Sequence, residues 1–238
     1  MHDVRAQNTA ARLAGVMYLF TMVTAIASSV VRSRLIVSDD SDATAAKILA
    51  SEGLFRLSIA GDLLTFACIA VLALGLYLAL RTVSKPLALL GLFWRLAEAT
   101  LMFALPLGSL FALRLLSGAQ SGLEAGQARG LALAALNAYG SAFEACMILL
   151  GLGSIVFNYL FYVSGAIPRV LAGWGVASSI FLVVCVFAIL LLPGQAALLR
   201  QIIYVPGFLG EVSLGLWLAV KGVRVQPARP AMRAALKG

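Results

Sequence analysis

Polar positions are so sparse along this chain that its apolar positions merge into six runs, at residues 13–31, 57–80, 87–111, 133–163, 170–192 and 202–220. Each run holds about 19 residues or more, and a helix rising ~1.5 Å per residue needs roughly that many to cross a ~30 Å hydrocarbon core. Helix is the expected state of all six, since an open strand leaves its backbone groups without partners in lipid. The third and fourth runs exceed the need, so their outer ends are expected to continue as helix beyond the membrane. The pattern predicts an all-α fold, a polytopic transmembrane helical bundle of six spans forming one membrane domain over residues 1–223.

Between the runs the connections differ in kind. Arg81 to Pro86 and Ser164 to Arg169 are tight, each with proline just before or at the start of the next helix, as a helical hairpin requires. The connection from Arg32 to Arg56 is longer and carries Asp39, Asp40 and Asp42, followed by a stretch over residues 43–52 that reads as a short interfacial helix. Carboxylates at that position act as an N-cap and complement the helix dipole; a divalent cation is the less favoured reading of the same cluster. Lys and Arg then set the orientation. With the N-terminus inside, the inner segments hold ten basic residues and the outer segments seven, with acidic residues offsetting the first outer loop. Both termini are therefore expected in the cytoplasm. The tail over residues 224–238, with Pro227 and Pro230 and no apolar period, reads as disordered and basic.

Composition agrees and closes off other classes. At 62% hydrophobic and 12% charged residues, with a mean hydropathy of +0.99, the chain departs too far from soluble domains to be one. Its net charge of +8 lies beside the membrane and is assigned to topology, with no nucleic acid implied. Arg5 and Arg12 ahead of an apolar run ending in Ala25-Ile26-Ala27 resemble a signal peptide. The run continues to Val31, however, with Thr21, Thr24 and Ser28 at helical spacing, so it is read as a span. His2 is the sole histidine, and Cys68, Cys146 and Cys185 all lie within spans as small packing residues. No metal spacing, catalytic triad or phosphate-cradling loop is present, so no cofactor, metal or catalytic residue is assigned.

Several stretches carry a family resemblance: Arg12-Leu13-Ala14-Gly15, VRSRLIV at 31–37, ATAAKILASEGLFRLSIAGDLL at 43–64, ALGLYLALRTVSKPLALL at 73–90 and EVSLGLWLAVKGV at 211–223. They resemble the family called domain of unknown function 4386. Its most specific part is the outer loop and the start of the second span. The resemblance implies a multi-pass protein of the bacterial plasma (inner) membrane and brings no established activity or site residues.

The chemistry is expected from five ionisable residues inside apolar runs: Asp62, Arg95, Glu98, Glu144 and Glu211. A charge at the centre of a span costs roughly 2.5–3.5 kcal/mol on insertion scales, so each marks a candidate site. Arg95 and Glu98 stand three apart and are expected to touch. Asn137, Ser141, Glu144, Gly151 and Asn158 follow steps of four, three, seven and seven, a supporting polar face; Gly207 and Gly215 flank Glu211 as small positions. Counted along their helices, Arg95, Glu98, Glu144 and Glu211 fall at similar depth and are expected to cluster, with Asp62 nearer the outer surface. Three acids exceed what one arginine can pair. The expected partners are the bilayer and a small solute, proton or lipid-like molecule handled at this cluster. The competing reading is a scaffold in which the cluster only clamps helices together.

Overall fold

The computed structural model describes residues 2–118 and 122–224. Among them are nine α-helices and no strand: α1 His2–Leu35, α2 Ser41–Ala50, α3 Glu52–Leu80, α4 Lys85–Ala104, α5 Pro106–Leu116, α6 Ala125–Ser164, α7 Arg169–Leu191, α8 Ala196–Ile202 and α9 Tyr204–Lys221, with a 3-10 turn at Pro193–Gln195. Six helical stretches are long and apolar enough to cross a membrane: Arg5–Leu35, Glu52–Leu80, Lys85–Leu116, Ala125–Ser164, Arg169–Leu191 and Ala196–Lys221. Large apolar side chains are left bare on their outer faces, with Val170 at 87% and Leu191 at 75% exposure. Such surface is a liability in water and a match to lipid tails. The protein is a multi-pass, all-α membrane protein.

One expected span is interrupted by proline, and another is preceded by a short helix of its own. The third is α4 followed by α5, because Pro106 has no N–H to return to Met102; Leu105 and Gly108 instead make tighter i→i−3 bonds of 3.0 and 3.1 Å. In the sixth, α8 gives way to α9 at Ile203, three residues before Pro206. The first span is longer than its apolar run, since α1 continues to Leu35 and takes Arg32 and Arg34 into its last turn.

The chain divides into two compact units. Unit 1 comprises residues 1–19, 69–98 and 147–238; unit 2 comprises residues 20–68 and 99–146. Helices α1, α3, α4 and α6 contribute residues to both.

Unit 1 is built around Leu72, Leu76, Leu80, Phe157, Phe161, Leu214 and Leu218. Small residues bring α1 against its neighbours. A Cβ on Gly15 would collide with the Ala219 nitrogen and stand 2.8 Å from the Gly215 oxygen, and one on Gly75 would stand 2.9 Å from the Ala10 oxygen. Gly215 therefore does serve as a point of close backbone approach. Gly207 does not, for a Cβ there meets nothing within 4 Å. Past α9, Gly222 turns with φ +65°, the Val223 N–H donates to Asn8 Oδ1 at 3.1 Å, and the Arg224 N–H donates to the Ala166 oxygen at 2.8 Å. The start of the expected tail is thus packed; its remainder, 225–238, lies outside the described residues.

Unit 2 packs Leu35, Ile48, Phe55, Ile59, Leu113, Leu115 and Leu136 together. The short helix expected in the long loop is α2, with Asp40 as N-cap: its carboxylate accepts from the Ala43 N–H at 2.8 Å. Asp42 pairs with Arg129 at 2.9 Å, and Thr44, Ala45 and Ile48 turn inward.

Candidate functional site

Arg95 and Glu98 leave the same face of α4 because three residues is close to one helical turn. Arg95 Nη1 stands 2.8 Å from Glu98 Oε2, and both side chains are buried. Gly153 on α6 leaves room for the arginine stem, since a Cβ there would stand 2.8 Å from Arg95 Cγ. The pair lies within one helix. Its geometry is ionic and poorly directed: Nε and Nη1 of Arg95 and both Glu98 carboxylate oxygens make no hydrogen bond. Tyr18 on α1 and Glu211 on α9 are within electrostatic reach of Arg95. One guanidinium therefore faces two carboxylates.

A cavity of about 20 Å³ adjoins this group, lined by Tyr18, Ser154, Asn158, Ser178, Ser179 and Glu211 with Gly175, Gly207 and Gly210. By the same measure a single water needs about 10–15 Å³, so the space suits one water-sized occupant. Asn158 is seated by glycine, because a Cβ on Gly175 would collide with its amide oxygen. Its amide nitrogen donates to the Ser154 carbonyl at 2.9 Å, while Asn158 Oδ1 and Ser154 Oγ are buried without partners. Glu211 is partly exposed and is the carboxylate on this wall.

Unit 2 has its own ionic group, arranged differently. Arg32 of α1 pairs with Asp62 of α3. Tyr139 of α6 donates its hydroxyl to Asp62 Oδ2 at 2.9 Å, and Ser28 of α1 adds a side-chain hydrogen bond. The Arg32 guanidinium also lies 4.6 Å above the Tyr139 ring centroid, a cation–π contact. Three helices are tied at one carboxylate, and the Thr65 hydroxyl donates to Thr24 Oγ1 at 2.6 Å as a second link between α1 and α3. An open cleft of about 380 Å³ lies beside them.

The sequence candidates are distributed accordingly. Arg95, Glu98, Glu211 and Asn158 belong to unit 1, whereas Asp62, Glu144, Asn137 and Ser141 belong to unit 2. Glu144 is partly exposed, Asn137 and Ser141 are exposed, and Asn158 is buried. A heptad-spaced stripe drifts about 20° per seven residues on a straight helix, so the ends of this one no longer share a face. Arg32 was expected in a connection and instead sits on α1. Thr21, Thr24 and Ser28 at steps of three and four lead to it, which is the signal in the sequence. Tyr139, Tyr18, Ser154, Ser178 and Ser179 carried no charge to mark them.

The family model for a domain of unknown function, DUF4386, matches residues 13–222. The chain belongs to that family. No curated protein and no solved structure matches it. Every residue of both ionic groups, from Tyr18 to Glu211, lies inside the matched range, so both are part of the DUF4386 domain itself.

Proposed function

We propose that this DUF4386 protein is a bacterial plasma-membrane protein that takes up and releases a proton or small cation at Glu211. The observation that carries the reading is the charge count in unit 1. Arg95 is paired by Glu98, and Glu211 is a second carboxylate within its reach. A carboxylate without its own cation in a low-dielectric site is neutralised by a proton or a bound cation. Size supports a small charge over a bulky solute, since the adjoining space is about 20 Å³. The excess of Lys and Arg in alternate connections supports cytoplasmic termini.

The scaffold reading draws on a different place. Interhelical ties are what a scaffold needs, and Arg32, Asp62 and Tyr139 make one. Arg95 and Glu98 do not, since both stand on α4. Reconstitution into proteoliposomes with a trapped pH indicator tests the proposal. An imposed proton or sodium gradient should drive flux through the wild-type protein, and Glu211→Gln should abolish it. Equal flux in both proteins would end the reading.

A further inference from the structure

The hydrogen bonds around the unit 1 cavity occupy the hydroxyl protons of Ser178 and Ser179 and leave oxygens free on its wall. Ser178 and Ser179 both give their hydroxyl protons to the Gly175 carbonyl, at 3.2 and 2.7 Å. Asn158 gives its amide N–H to the Ser154 carbonyl. A serine hydroxyl that has donated retains only lone pairs, and an ionised carboxylate has nothing else. The wall therefore presents oxygens: the two serine hydroxyls, the unpartnered Asn158 Oδ1 and the Glu211 carboxylate, with Ser154 Oγ also buried and unpartnered. Both Asn158 and Ser154 are at least nine-tenths buried, at 5% and 4% exposure. Leaving an acceptor unmade in such a place costs about 1–3 kcal/mol, which an occupant would relieve.

We infer that this cavity is a binding site for one dehydrated monovalent cation, held by Glu211, Asn158, Ser178 and Ser179. The inference rests on the reading that Glu211 exchanges a small charge, and it names the charge. Oxygen-only ligands select a hard cation. One carboxylate on the wall, with Arg95 nearby, matches a single positive charge and disfavours two. Among the described residues no cluster of three His, Cys, Asp or Glu side chains exists to hold a transition metal. Room for about one water excludes a hydrated ion.

Thermal unfolding of the full-length protein in detergent tests this, with choline chloride replaced stepwise by NaCl, LiCl or KCl at constant ionic strength so that screening stays fixed. A ligand that binds only the folded state raises the midpoint in a saturable way. At least one of the three alkali cations should do so, since choline is too bulky for a space of about 20 Å³. Glu211→Gln should still unfold cooperatively in choline and should lose the response. A flat wild-type response to all three ions, or a response that persists in Glu211→Gln, overturns the site. A flat response to all three with proton flux still lost in Glu211→Gln removes the cation site and leaves the proton reading standing; loss of neither removes both.

Discussion

Both units bury an arginine beside a carboxylate, and the two pairs do opposite things with the same chemistry. In unit 2 the partners come from α1 and α3, 30 residues apart, and the carboxylate is saturated by a guanidinium, a tyrosine hydroxyl and a serine. In unit 1 the partners are three residues apart on α4, with the Glu98 oxygens and two Arg95 nitrogens left without hydrogen bonds. Burying an ion pair is favourable only when its remaining lone pairs and protons are also satisfied. Unit 2 meets that condition and gains a link between helices. Unit 1 does not meet it. A poorly satisfied pair within one helix is better explained by what it does to its neighbour Glu211 than by stability.

The largest effect should come from halving the unit 2 tie. Arg32→Ala strands Asp62, a side chain only 4% exposed, and should lower unfolding stability by about 3–5 kcal/mol. Adding Asp62→Asn should return part of it. If denaturant titration in detergent finds Arg32→Ala as stable as wild type, unit 2 is no clamp and the contrast collapses.

Replacing both partners at once sharpens the contrast. Arg32→Met with Asp62→Leu leaves the Tyr139 and Ser28 hydroxyls without an acceptor and should cost about 3 kcal/mol. Arg95→Met with Glu98→Leu removes hydrogen-bonding groups that were already unpaired and should be nearly neutral. Equal losses in the two double variants, measured the same way, would mean that the pairs serve one purpose. Tyr139→Phe is the smaller probe: it deletes one hydrogen bond to a carboxylate and should cost about 1.5 kcal/mol, while flux should stay at the wild-type level.

Much of this was legible before any coordinates. The six spans follow from apolar run length alone, and the Arg95–Glu98 contact from a spacing of three on a helix. Asp40 was readable as a cap because it precedes a short apolar period. The breaks at Leu105 and Ile203 were less legible, since hydropathy does not register a missing N–H even where Pro106 and Pro206 are plain in the sequence. Arg32 was assigned to a connection because the apolar run ends at Val31, yet helix continues wherever a buried partner offsets the charge, and Asp62 offers one. Depth along a helix grouped Glu144 with Arg95 and Glu98. Depth carries no information about azimuth or about which unit a helix segment joins. The cavity at Glu211 was hidden for another reason: its walls are serines, an asparagine and glycines whose significance lies in which lone pairs remain after the backbone has taken the donors.

The smallest effect on stability should accompany the largest effect on activity. Glu211 is partly exposed and lines a cavity, so Glu211→Gln should shift the unfolding midpoint little. The decisive measurement is ion-driven flux in proteoliposomes for the wild type, Glu211→Gln and Tyr139→Phe, each with its unfolding midpoint recorded. The account predicts that Glu211→Gln abolishes flux at a nearly unchanged midpoint, while Tyr139→Phe lowers the midpoint and leaves flux intact. Flux that survives Glu211→Gln and falls with Tyr139→Phe would place the working carboxylate in unit 2 and contradict it.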